Sequence, residues 1–65
     1  GELTDDEARV AKNETNRYWL YIVYNIQGKP KLLRFADPFN NMNYKIIEKV
    51  TKETRYVLWP KAVVS

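Results

Sequence analysis

Apolar side chains are densest at residues 18–26, where Tyr18, Trp19, Leu20, Tyr21, Ile22, Val23, Tyr24 and Ile26 are broken only by Asn25. With the two-residue repeat of a strand, Tyr18, Leu20, Ile22, Tyr24 and Ile26 line one face, and Trp19, Tyr21 and Val23 the other. A strand that is apolar on both faces calls for cover on both sides, as in the middle of a larger sheet. Sixty-five residues rarely supply two such covers. The pattern therefore predicts a strand built to be sandwiched, in a chain that is part of something larger or one member of an oligomer.

The polar positions punctuate the rest. Thr4-Asp5-Asp6-Glu7 fits a capping box, with Thr4 as N-cap, Glu7 at the third helical position, and Leu3 and Ala8 placed for a small hydrophobic staple. Asp5 and Asp6 fall where the helix dipole favours negative charge, so these carboxylates already have a structural use. Ala8 and Ala11 would let the helix lie close to a sheet. Asn13, Thr15 and Asn16 end it near Lys12 or Asn13. The aromatic strand covers 17–26. Gln27-Gly28-Lys29-Pro30 is a turn, and a second strand at 31–36 folds back as a hairpin, with Leu33 and Phe35 on one face and Leu32, Arg34 and Ala36 on the other.

Asp37-Pro38 has the composition of an N-cap followed by a first helical position. Phe39, Met42, Ile46 and Val50 follow helical spacing, while Asn40, Asn41, Asn43, Ile46, Ile47, Val50 and Thr51 weaken a helix. The balance predicts one helical turn after Pro38 and then a strand over 44–50, with a full helix over this span as the alternative. Residues 51–54 form a polar loop, 55–59 a last strand stopped by Pro60, and 61–65 a loose tail. The fold class is α+β: an N-terminal capped helix packed on a small, mainly antiparallel sheet of three or four strands. Residues 1–65 form one small domain or the C-terminal fragment of a larger one. The opening Gly1 in place of methionine fits a fragment.

Composition narrows the chemistry. The chain has no cysteine and no histidine. This removes disulfides, thiolate metal sites, the commonest zinc ligand and nucleophile–histidine catalysis. Gly1 and Gly28 are the only glycines, so phosphate-cradling loops are excluded. No acid pair with a defined gap stands out, and no cofactor or metal is expected. There is no signal peptide or membrane-crossing stretch, and a cytoplasmic protein is the expectation. The net charge of +3 is uneven: residues 1–28 carry −2 and residues 29–65 carry +5. The basic half could face phosphate, with Lys31, Arg34, Lys45, Lys49 and Arg55 as the best contacts; a solvated surface is the plainer expectation. Trp19, Tyr21 and Tyr24 could stack on single-stranded nucleic acid, but their alternation with Leu20, Ile22 and Val23 favours burial as core.

The order of motifs carries a resemblance. Leu3-Thr4-Asp5-Asp6-Glu7 with Ala8 and Ala11, then Tyr18-Trp19-Leu20-Tyr21-Ile22-Val23, then 32–35 and Asp37-Pro38, resembles the C-terminal half of the protein NO VEIN C-terminal family over about residues 3–38. That family is similar to a branch of the PD-(D/E)XK nucleases and occurs in bacterial and archaeal proteins, often joined to helicase or restriction modules. The resemblance implies that the helix packs on the sheet and that 18–23 is a central strand. The acidic and lysine residues of the nuclease signature lie on strands before this helix, so none maps onto this chain. Glu7-Ala8-Arg9 is the nearest match to an acid-x-Lys step, and it sits in the capped turn.

The resulting expectation is a non-catalytic C-terminal segment of a nuclease-like domain from a DNA-processing or restriction/defence-type protein, not an enzyme on its own. Its partner would be the remainder of the parent protein, or a second copy through the aromatic strand, with DNA possible and no membrane. The alternative is a small basic nucleic-acid-binding module.

Overall fold

The computed structural model describes residues 1–61. Its order is β1 (Glu2–Thr4), α1 (Asp5–Glu14), a 3-10 turn (Thr15–Arg17), β2 (Trp19–Ile26), β3 (Lys29–Ala36), α2 (Pro38–Asn41), β4 (Met42–Glu48) and β5 (Thr54–Pro60). The class is α+β, as the pattern predicts. The strands divide into two antiparallel groups: a three-stranded sheet in the order β1-β5-β4, and the β2–β3 hairpin. The expected tail at 61–65 lies, beyond Lys61, outside the described residues.

The helix forms for the reasons its sequence gives. The Thr4 backbone N–H donates to Glu7 Oε1 at 3.0 Å, and the Glu7 N–H donates to Thr4 Oγ1 at 3.2 Å, a reciprocal capping box. The Thr4 N–H first, then the Thr4 hydroxyl, hold the Glu7 carboxyl below its ordinary pKa. A carboxyl depressed by folding stabilises the fold above its unfolded pKa, and that contribution is lost as pH falls through the folded value. Thr4→Ala removes the hydroxyl that accepts from the Glu7 N–H and should cost about 1 kcal/mol. Glu7→Gln, which removes the titrating carboxyl, should flatten the loss of stability on acidification, read from thermal melts between neutral pH and about pH 3. An unchanged acid profile would contradict this role for the cap.

The helix runs to Glu14, past the expected stop at Lys12 or Asn13. The Thr15 N–H, at a residue with φ of 50°, bonds back to the Ala11 carbonyl and closes the last turn, so the polar residues terminate the helix one or two residues later. Ala8 and Ala11 are buried where α1 lies against β1 and β5. Their small side chains permit the close approach.

Leu3, Ala11, Met42 and Leu58 form the core, and Tyr18, Leu20, Ile22, Phe35, Phe39 and Tyr56 pack against it. Lys12 Nζ lies 4.9 Å from the Phe39 ring centre and 4.7 Å from that of Tyr56, so its charge caps an aromatic group instead of pairing with an acid. The Tyr56 hydroxyl donates to Asp5 Oδ1 at 3.3 Å, tying β5 to the first turn of α1.

Several expected boundaries shift. β1 (Glu2–Thr4) is a short edge strand beside β5, a pairing that no local pattern signals. β4 begins at Met42 and ends at Glu48, two residues before the expected span at each end, and the alternative of a full helix over 39–50 is overturned. Asp37 is not a side-chain cap. It adopts a left-handed conformation (φ 49°, ψ 62°), its backbone carbonyl accepts from the Asn40 and Asn41 N–H groups, and its carboxylate accepts from Asn40 Nδ2 at 2.9 and 3.1 Å. Gln27 and Gly28, at φ of 53° and 78°, make the tight two-residue turn that matches strand twist in a hairpin, which is why β3 starts at Lys29.

The chain is extended for its length. Its Cα radius of gyration is 13.0 Å, against about 11 Å for a compact domain of this size. Among the described residues β2 pairs with β3 alone, so there it is not the central strand that the resemblance implies.

Candidate interaction surface

The hairpin register fixes two unlike faces. On the inner face Leu20 opposes Phe35 and Ile22 opposes Leu33, and three of these four belong to the group packed on the core. On the outer face Trp19 opposes Ala36, Tyr21 opposes Arg34 and Val23 opposes Leu32. Trp19 is 50% exposed, Tyr21 57%, Val23 69% and Leu32 54%. These values overturn the expectation that the rings are core. Tyr24 and Ile26, on the inner face, are also exposed because the hairpin tip runs beyond the core. The physical reason is supply: one small core covers one half of one face, and nothing else in the described chain reaches the outer side.

At half exposure, four side chains of roughly 200 Å² each leave about 400 Å² of largely apolar surface. A patch of that size matches the largest usually found on a soluble monomer, where it is often functional. β2 and β3 each also keep one unpaired edge. The sequence signal for display was Arg34, which the alternation already placed on the same face as Leu32 and Ala36.

The five basic candidates do not form one patch. Lys31 opposes Tyr24 on the inner face of the hairpin, and Arg34 is on the outer face. Lys45 opposes Val57 in the three-stranded sheet, and Val57 also opposes Glu2, so Lys45 and Glu2 share that sheet's outer face. Lys49 Nζ lies 3.2 Å from Glu2 Oε1. Arg55 Nε lies 3.5 Å from the same oxygen, and Arg55 Nη2 lies 2.9 Å from Glu53 Oε2. The structure thus gathers Lys45, Lys49 and Arg55 near Glu2, with two of the three held in ion pairs, and sets Lys31 and Arg34 apart.

A concavity of about 370 Å³ opens beside the start of α1, where Asp5, Asp6 and Glu53 face Lys52 and Arg55. Its charges are mixed. Among the described residues there is no group of three or more His, Cys, Asp or Glu side chains able to hold a metal ion, and no buried side-chain polar atom lacks a hydrogen bond. Among the described residues no helix is long and apolar enough to cross a membrane. The surface with the most unmet demand is the outer face of the hairpin.

A capped helix, a short edge strand and an aromatic hairpin with one half-covered and one exposed face define a small sheet-building α+β unit. The chain belongs to the family described as Protein NO VEIN, C-terminal, which it matches over residues 2–35, from β1 nearly to the end of β3. No curated protein and no solved structure matches it. The matched segment holds Trp19, Tyr21, Val23, Leu32 and Arg34, so the outer face lies wholly within the family's span except for Ala36.

Proposed function

We propose that this chain is a non-catalytic, sheet-building segment of a nuclease-like domain in a DNA-processing or restriction/defence-type protein of the cytoplasm, and that the outer face of its hairpin docks the remainder of that domain. The carrying observation is the exposed row of Trp19, Tyr21, Val23 and Leu32 within the family segment. Burying about 400 Å² of such surface is worth on the order of 10 kcal/mol before ordering costs. Cover from the same polypeptide avoids the roughly 4–15 kcal/mol of lost freedom that a separate partner incurs. The sequence contains neither histidine nor cysteine, which supports a scaffold role over a catalytic one and suits a reducing compartment. Trp19 and Tyr21 displayed beside Arg34 also favour the second possibility, a basic module that stacks on single-stranded nucleic acid.

The test is reconstitution. The chain is mixed with the remainder of a NO VEIN C-terminal domain, and plasmid cleavage is followed with magnesium present. The complex should cleave and each part alone should be silent. Cleavage by this chain alone, or a complex that forms and never cleaves, would overturn the proposal.

A further inference from the structure

Three of the four arginines have a carboxylate partner: Arg9 with Asp6, Arg17 with Glu14, and Arg55 with Glu2 and Glu53. Arg34 has none among the described residues. It is also the only charged side chain in the three apolar rows of the hairpin's outer face, and it occupies the middle row, opposite Tyr21. An occupant that covers Trp19, Tyr21, Val23 and Leu32 strips water from Arg34 as well. A buried charge left without a partner is strongly unfavourable, and a guanidinium is best satisfied by the two oxygens of one carboxylate.

Area and charge together choose the occupant. The face offers about 400 Å², half of the roughly 800 Å² that each partner gives to a stable complex. A second copy laid across a two-fold axis through the middle row would add no area per partner and would bring two Arg34 guanidiniums together. We propose that this face receives an acidic amphipathic polypeptide element, whose apolar ridge lies along Trp19, Tyr21, Val23 and Leu32 and whose Asp or Glu side chain pairs with Arg34. This rests on the docking role argued above and adds the chemistry of what docks. Arg34 then acts as a register pin: the apolar rows hold the element, and the single charge fixes where along them it sits.

The probes are two short designed helical peptides with the same leucine ridge, differing only by one Glu or Lys beside it. Trp59→Phe leaves Trp19 as the sole indole, and its emission follows binding. The Glu peptide should bind about tenfold tighter than the Lys peptide. Arg34→Glu should reverse that order, and Arg34→Met should keep binding and erase the preference. Both substituted positions, Arg34 and Trp59, are exposed, so the variants fold. Equal binding of both peptides overturns the acidic partner and leaves the docking face standing. Failure of both to bind, with Trp19 still wet, overturns the docking face as well. Salt-dependent binding of a short oligothymidylate at Trp19 in place of either peptide overturns the inference in favour of nucleic acid. Self-association through this face that is tighter than the binding of either peptide overturns it in favour of a second copy.

Discussion

Leu58→Ala is expected to destabilise the chain by about 3 kcal/mol, within the usual range for truncating a buried leucine. Leu58 sits in β5, the middle strand of the three-stranded sheet, and is 1% exposed. It joins Leu3 from β1, Ala11 from α1 and Met42 from β4, so one side chain links four elements. Its backbone donates to the Gly1 carbonyl at 2.8 Å and accepts from the Gly1 nitrogen at 2.9 Å, so movement there also loosens the edge strand. A domain of this length holds about 3–10 kcal/mol in total. The substitution therefore removes a third of the stability or more, and the urea midpoint followed by circular dichroism should fall accordingly. Ile46→Ala, in the neighbouring β4 and well exposed, should change stability by no more than about 0.5 kcal/mol. Equal effects at the two positions would contradict the placement of the core.

The second large effect concerns association. Two outer faces brought together bury about 800 Å², worth roughly 20 kcal/mol before costs. Loss of freedom and side-chain ordering take up to about 15 kcal/mol. The remainder, about 5 kcal/mol, corresponds to a Kd on the order of 0.1 mM, and Arg34 facing Arg34 weakens it further. Tyr21→Lys combined with Val23→Lys puts two charges into those apolar rows. The double variant should lower self-association at least about 100-fold in sedimentation equilibrium, while its stability changes by about 1 kcal/mol or less, because neither side chain touches the core. The same variant should fail to bind the remainder of the domain. Unchanged association in both assays would place the contact elsewhere.

The helix start, the hairpin and the α+β class were legible because each rests on local chemistry: a capping box, a Gly28 turn and a two-residue alternation. The edge strand at Leu3 was not, since its pairing with Tyr56 joins residues far apart in the chain. Asp37 misled because its carboxylate bonds to the Asn40 side chain instead of a free backbone N–H. The demand for cover around residues 18–26 was legible as excess apolar surface. Which face stays wet was not, because that depends on where α1 and β5 place the only core. The five basic residues were readable as charge but not as a site: Glu2 neutralises Lys49 and Arg55 from the opposite end of the chain, and Glu53 pairs with Arg55 two residues on.

The most direct measurement is acrylamide quenching of Trp19 in the Trp59→Phe background, first with the chain alone and dilute, then with the remainder of a NO VEIN C-terminal domain added. Free access of the quencher in the dilute chain, followed by protection and a blue-shifted emission in the complex, is the predicted result. An indole already shielded in the dilute monomer, or one that stays equally accessible once the complex has formed, would contradict the claim that this face is built to be covered.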